Sequence, residues 1–554
     1  MDAPVSLAGL LARAQLPYLT VSPIDGVSVS SLSDDSRTAR PGACFVAMRG
    51  SGGDGHAFVA QAAARGACAA IVERVVESPA GLAVARVDCT RSALARLAAA
   101  FYGLTSQGRD GQTGSAEGVE PFGPARGGLG IAHREADAAG LRLLGVTGTN
   151  GKTTVAWLLR SVLRVGGRRP ALLGTIEYDL LDRRTRAGMT TPGPLELCRC
   201  LAEARRAGAT DAVLEVSSHA LDQRRTDGLV FAAGVFTNLS QDHLDYHKTM
   251  DEYRACKRRL FEGLGADAVA VVNADDPSAG AMVEGARATI VRYGLTSSGA
   301  NVTAAIRRTA IDGCEFVLRT DRGEMDIRLQ LPGRHNVLNA LAAAATARAL
   351  ALPPEAIRDG LEEVRGVPGR LQRVSPDGHP FAVFVDYAHT DDALTNVLAC
   401  VRPLTAGRVI CVFGCGGDRD RGKRPRMAAA VERAADVAIV TSDNPRSEAP
   451  GAIIEEILCG FSASRRVEVQ VEPERRAAIS LALRLAQPGD TVLIAGKGHE
   501  DYQLVGDRTL PFDDASVARS FLEAGGEVDG AGRRAGEISV QPARFAASCA
   551  KDGS

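Results

Sequence analysis

Short runs of β-branched and aliphatic residues alternate with longer Ala-, Leu- and Arg-rich stretches along almost the whole chain. Strand-length apolar runs spaced by helix-length segments predict βα units on parallel sheets. Three blocks emerge from this pattern. The first carries strand-like runs at 44–48, 68–72 and 83–88. The second opens with LRLLGV at 141–146, continues at 170–175, 211–216, 232–237 and 267–272, and closes on an Ala-rich helix over 337–350. The third has runs at 381–386, 408–413, 437–441 and 491–495. Residues 106–130, rich in Gly and poor in aliphatics, read as a linker or surface insertion. Beyond about Gly525 the chain is aperiodic and rich in Gly, Ala and Arg, the pattern of a disordered tail.

Composition narrows the classes. With 65 Lys+Arg against 66 Asp+Glu in 554 residues, the chain has no bulk charge with which to hold nucleic acid or an anionic membrane. No apolar run reaches the roughly 18 residues of a membrane span. The start, MDAPVSLAGLLARAQLP, lacks the basic head and long apolar core of a secretory signal. Twelve Cys without regular spacing read as reduced thiols, so the expectation is a cytoplasmic protein; a monomer is expected.

The most informative stretch is GVTGTNGKTT, Gly145 to Thr154, which follows a strand-like run and precedes the helix-like VAWLLRSVL. Glycines there let successive backbone N–H groups turn toward one anion, and the helix adds its positive end. Gly148, Thr149, Asn150, Gly151, Lys152, Thr153 and Thr154 are therefore candidates for binding ATP. Lys152 is placed for the β/γ-phosphates, and the Thr153 hydroxyl for Mg²⁺. The central block becomes a P-loop domain. The commonest P-loop spelling would need Gly where Val146 stands.

The spelling T-G-T-N-G-K-T resembles that of the Mur ligases and their folylpolyglutamate synthetase relatives. The resemblance extends in order through DSRTARPGACFVAMRG (35–50), TTP (190–192), EVSSHAL (215–221), FTNLSQDHLDYH (236–247) and LPGRHNVLNALAA (331–343). VDYAHT (385–390), GCGGDRDRGKR (414–424), DNPR (443–446) and GKGHE (496–500) complete it. It covers about Leu32 to Asp514 and is closest to the branch of the family that adds diaminopimelate. The implied fold is α/β in three domains: a small N-terminal UDP-binding domain (1–104), a central P-loop ATPase domain with a mostly parallel sheet (141–366), and a C-terminal Rossmann-like domain (367–523). The Gly-rich insertion (105–140) and the tail (524–554) lie outside them.

The resemblance implies an ATP-dependent ligase joining meso-diaminopimelate to UDP-N-acetylmuramoyl-L-alanyl-D-glutamate through an acyl phosphate, in cytoplasmic peptidoglycan precursor synthesis. Ligases for L-lysine or folate, and a nucleotide-binding protein without turnover, are the alternatives. Lys152, Glu215, His243 and Lys257 become the catalytic set, with Mg²⁺ held by Thr153, Glu215, His243 and an N-carboxylated Lys257. Without the family pattern, Lys257 would read as an exposed helix lysine. A zinc cluster of Asp242, His243, Asp245 and His247 ranks below the magnesium assignment, since no HExxH or Cys pairing supports it. Asn336, Arg370 and Asp386 are implied around ATP. Ser36, Ser51, Gly52 and Gly53 are implied for the uridine nucleotide, and Thr190, Thr191, Ser217, Gln223 and Arg225 for the muramoyl dipeptide. Asp34 and Met189 depart from the residues expected beside these groups. Arg419, Asp443, Asn444, Pro445, Arg446, Gly496 and Glu500 are implied for diaminopimelate. The Arg446 guanidinium suits its distal carboxylate and Glu500 its distal ammonium.

Overall fold

The computed structural model describes residues 4–50, 53–77, 79–105, 140–242 and 244–525. The expected insertion at 106–130 and nearly all of the expected tail lie outside the described residues. The chain divides into two compact units. One comprises residues 1–307, 315–329 and 335–364, and the other residues 308–314, 330–334 and 365 onward.

The first unit contains two large sheets and two two-stranded ribbons. The smaller has five strands in the order Leu19–Ser22, Ala83–Arg86, Ala69–Val72, Ala43–Val46, Ser31–Ser33, parallel except for the first. Its inner strands are buried but for the half-buried Arg86, as the apolar runs at 44–48, 68–72 and 83–88 imply. The helix Thr90–Phe101 covers it with Ala93, Leu94 and Leu97.

The larger sheet has eleven strands. At its centre run Pro170–Leu173, Asp211–Glu215, Arg142–Thr147, Phe231–Phe236, Val269–Asn273 and Thr289–Gly294, all parallel. Every expected strand of this block is present. The helix expected over 337–350 runs from Arg334 to Ala349, and a second helix, Pro354–Glu362, follows it. Strands at Val302–Ala310, Gly313–Thr320 and Gly323–Leu329 were not legible, because charged residues interrupt their apolar pattern, the first and last being largely exposed or half-buried.

One feature of this sheet shapes the site. Gly145 and Gly234 are register partners on adjacent strands. A Cβ on Gly145 would stand 3.2 Å from Leu260 Cδ1, and one on Gly234 would stand 3.5 Å from Leu260 Cγ. With no side chain at either position, the helix Met250–Glu262 lies close on the sheet and carries Lys257 inward.

The second unit is built on six strands in the order Gln372–Arg373, Ala382–Asp386, Thr491–Ala495, Val409–Phe413, Val437–Val440, Glu468–Val471. All but the short first strand run parallel. Open parallel sheets present ligands to the carboxyl ends of their strands. Beyond those ends lie the loops carrying Arg419, Asp443–Arg446 and Gly496–Glu500. Arg475 and Asp514, neither with exposed side-chain surface, pair at 2.8 and 2.7 Å. Arg475 also donates to Ala495 O (3.0 Å) and Ser442 O (3.3 Å), fixing two of these strand ends. Breaking a buried pair by removing one charge costs about 3–5 kcal/mol. Asp514→Asn should therefore lower the midpoint of denaturant unfolding markedly; an unchanged midpoint would refute this role.

Candidate active site

The strand Arg142–Thr147 runs directly into the loop Gly148–Gly151 and the helix Lys152–Val165. Gly148 (φ +144°) and Gly151 (φ +84°) hold the left-handed region. A Cβ at Gly148 would collide with Thr237 Oγ1, and one at Gly151 with Asn339 Oδ1. The loop is thus a cradle that only glycine permits at these two points. Thr237 Oγ1 donates to Asn150 O (2.6 Å), and Thr149 N–H donates to Asn238 O (2.8 Å), holding the loop's shape. Thr153 and Thr154 are buried in the first turn of the helix. Asn336 is buried on the helix Arg334–Ala349 and accepts from Asn339 Nδ2 (3.0 Å), the same Asn339 that faces Gly151.

Glu215, 1% exposed, ends its strand beside this loop. Its Oε2 accepts from Thr153 Oγ1 (2.8 Å) and Thr175 Oγ1 (2.9 Å), and its Oε1 accepts from Thr175 N–H (2.8 Å). A carboxylate and two hydroxyls form the hard-oxygen set that suits Mg²⁺. His243 lies outside the described residues. Among the described residues, no three His, Cys, Asp or Glu side chains cluster as a metal-binding group. His247 instead sets Nε2 2.9 Å from Ser218 Oγ and Nδ1 3.7 Å from Cys256 Sγ.

Lys257 is 1% exposed, so its expected reading as a surface lysine in isolation does not hold. Its Nζ donates to Gly148 O (2.8 Å) and lies 4.4 Å from the centre of the Tyr253 ring. Lys152 Nζ donates to the same carbonyl (3.0 Å) and to Thr149 O (2.8 Å). Two lysines therefore meet at one loop oxygen. Burial, reinforced by the Lys152 charge, pushes the Lys257 pKa well below that of an ordinary lysine.

The residues implied for the muramoyl dipeptide also come together. Thr191 Oγ1 donates to Glu215 O (2.8 Å) and accepts from Ser217 N–H (3.1 Å), while Thr190 and Thr175 hydroxyls lie 3.1 Å apart. Arg225 donates to Thr191 O (2.6 Å) and Gln223 Oε1 (2.7 Å). Met189, which replaces an expected polar residue, leaves its Sδ 3.6 Å from Arg225 Nη1. After the edge strand Ser31–Ser33 of the smaller sheet, Ser36 Oγ donates to Gln61 Oε1 (2.7 Å), and Gly53 sits in a separate two-stranded ribbon with Arg49–Gly50. Ser51 and Gly52 lie outside the described residues. Burial pushes the carboxyl of Asp34 up.

In the second unit, Asp386 accepts from Leu371 N–H (2.6 Å) and Ala388 N–H (2.9 Å). Burial raises its pKa against the opposing pull of Arg370. Arg370 stacks its guanidinium 5.1 Å from the Tyr387 ring centre, and its buried Nε has no hydrogen-bond partner among the described residues. Arg446 (φ +51°) donates through Nη1 to Gly417 O (2.8 Å), and Gly417 N–H donates to Asn444 O (2.9 Å). The loop holding Arg419 is so tied to the one holding Asp443, Asn444, Pro445 and Arg446. Arg419 donates to its neighbour Asp418 O (3.2 Å). Asp443 Oδ2 lies where a Cβ on Gly496 would come within 2.6 Å, and Asn444 Nδ2 donates to Glu500 Oε2 (2.9 Å).

Sequence reasoning missed Thr175, Asn339 and Lys497. Thr175 follows a strand that was legible, but it stands 40 positions from the carboxylate it serves. Lys497 lay inside a motif already singled out.

Three family descriptions match in order: "Mur ligase family, catalytic domain" at 28–102, "Mur ligase middle domain" at 146–347, and "Mur ligase, glutamate ligase domain" at 369–498. The UDP-N-acetylmuramoyl-L-alanyl-D-glutamate–2,6-diaminopimelate ligase of Geobacter metallireducens is 43% identical over 521 residues, covering 90% of this chain and 95% of that protein. A solved structure of a ligase of the same name superposes with a TM-score of 0.65 at 32% identity, covering 95% of this chain and 100% of that one. The MurF ligase of Thermotoga maritima, solved with ADP, shares the fold at a TM-score of 0.54 and 17% identity, over 89% of this chain and 97% of its own.

Proposed function

The chain belongs to the Mur ligase family, and on that premise we propose that it is the ATP-dependent ligase that adds meso-2,6-diaminopimelate to UDP-N-acetylmuramoyl-L-alanyl-D-glutamate. The observation that carries this reading is the near-complete match to ligases named for that reaction. The grouping of Arg446, Asn444 and Glu500 beyond the strand ends of the second unit supports the choice of amino acid.

The chemistry divides between the two units. An oxygen of the D-glutamyl γ-carboxylate attacks the γ-phosphorus of ATP, ADP departs, and an acyl phosphate results. The amine of diaminopimelate then attacks the acyl carbon, inorganic phosphate leaves, and the nitrogen gives up a proton. The main barrier to the first step is the repulsion between two anions. The loop N–H groups and Lys152 are suited to receiving the phosphates, while Arg225 and the hydroxyls of Thr190, Thr191 and Ser217 are suited to the dipeptide. Thr153, Glu215, His243 and a carboxylated Lys257 would hold magnesium, which when bound neutralises phosphate charge. Ser36, Ser51, Gly52 and Gly53 are assigned to the uridine nucleotide, and Asn336, Arg370 and Asp386 to ATP. We read the enzyme as a cytoplasmic monomer; among the described residues no helix is long and apolar enough to cross a membrane.

Phosphate release measured across a panel of amino acids tests the proposal. Release should require ATP, the UDP-dipeptide and diaminopimelate together. Equal turnover with L-lysine would overturn it.

A further inference from the structure

Lys497 has no exposed surface, although it follows directly on the strand Thr491–Ala495 and Gly496. Its Nζ lies 3.1 Å from Glu500 Oε2 and 3.2 Å from Asn444 Oδ1, with the Tyr502 ring centre at 5.3 Å. Asn444 Nδ2 closes the triangle on the same Glu500 oxygen at 2.9 Å. Leu504 N–H adds a second donor to Asn444 Oδ1 at 3.0 Å. A buried ammonium is costly unless it is paired, so a lysine kept here has a charge to answer.

This triangle has two consequences. Two donors on Asn444 Oδ1 settle which way its amide faces, and so present Nδ2 rather than the carbonyl toward Glu500. Two donors on Glu500 Oε2 fix that carboxylate and leave Oε1 to accept from a ligand. Electrostatics agrees with geometry. An uncompensated Glu500 would attract any side-chain ammonium and repel a neighbouring carboxylate. Paired with Lys497, it can accept an ammonium while tolerating a carboxylate held by Arg446.

We propose that Lys497 is a positioning residue that sets Asn444 and Glu500 for the distal end of the incoming amino acid, favouring a zwitterionic end over a lone ammonium. The proposal rests on the diaminopimelate reading above and goes beyond it in assigning how the discrimination is built.

Steady-state kinetics of Lys497→Met test it. The KM for meso-diaminopimelate should rise about 100-fold, while the KM for ATP and for the UDP-dipeptide stays within about twofold. Use of L-lysine relative to diaminopimelate should increase, a change that general loosening of the fold would not produce. In the double variant Lys497→Met/Glu500→Gln, the second substitution should add less than about threefold, because the two residues act as one unit. An unchanged KM for diaminopimelate, or a parallel rise for all three substrates, would overturn the assignment. Should Lys497→Met fail to fold, Lys497→Arg carries the test. Its retained charge should keep the preference for diaminopimelate over L-lysine, and loss of that preference would overturn the proposal. If the wild type consumes a different amino acid, the functional reading falls, and the same ratios measured with that amino acid decide the role of Lys497.

Discussion

Lys257→Arg should lower kcat by roughly 10²–10³-fold, the scale on which one preorganised electrostatic contact to a transition state contributes. Arginine preserves the positive charge and most of the length, so a role limited to that charge would leave turnover intact. The expectation rests on chemistry that arginine lacks. Burial, together with the nearby Lys152, holds the Lys257 pKa well below the ordinary value, so its neutral form persists at a pH where exposed lysines are protonated. Only the neutral amine has a lone pair with which to attack CO₂, forming an N–C bond and releasing a proton. The resulting carbamate is an anion where the sequence wrote a cation. The pH dependence follows from the sign of the shift. As pH falls through the lowered pKa, protonation takes the amine out of the equilibrium and CO₂ is lost, so activity should fall on the acid side. Added bicarbonate should restore it in the wild type and not in Lys257→Arg. The same shift makes the unfolded chain the tighter proton binder, so lowering pH below the ordinary lysine value also erodes stability. Wild-type turnover by Lys257→Arg would remove the carbamate assignment.

How Lys257 comes to be buried shows where the sequence stops being legible. The strands at 142–147 and 231–236 were readable because both faces are covered and apolar residues dominate. That Gly145 and Gly234 stand opposite one another depends on register, which no local pattern reveals. Yet that pair lets the helix of Lys257 settle onto the sheet. The P-loop was legible because its spacing is local: strand, glycines, lysine and hydroxyl lie within ten positions. Thr175 and Asn339 act on the loop region from far along the chain, so spacing could not find them. Strands between 302 and 329 escaped because Arg307, Arg308, Arg319 and Glu324 project from exposed positions within them. Lys497 carries the same lesson in reverse. A lysine between two glycines reads as solvent-facing, and only the packing of the loops around it makes it a buried charge.

Arg446→Ala should raise the KM for diaminopimelate by roughly 30- to 4,000-fold, the equivalent of about 2–5 kcal/mol for truncating one partner of a hydrogen-bonded charge pair. ATP affinity should be nearly unchanged, since Arg446 donates to Gly417 O and is not among the residues assigned to ATP. The structure gives the side chain a defined attachment. Nη1 is committed to Gly417 O, and the backbone is held at φ +51° by Arg446 N–H to Leu504 O (3.0 Å) and Gly506 N–H to Arg446 O (2.7 Å). A guanidinium fixed at one nitrogen still offers its other N–H groups to a carboxylate. Arg446→Lys separates charge from shape, because a point charge replaces the planar fork. Its KM should fall between those of the wild type and Arg446→Ala. L-lysine has no distal carboxylate to lose, so its weak turnover should change little on Arg446→Ala, and discrimination between the two amino acids should narrow. If diaminopimelate kinetics are unaffected, or if the KM for ATP rises as much, Arg446 does not read the distal carboxylate.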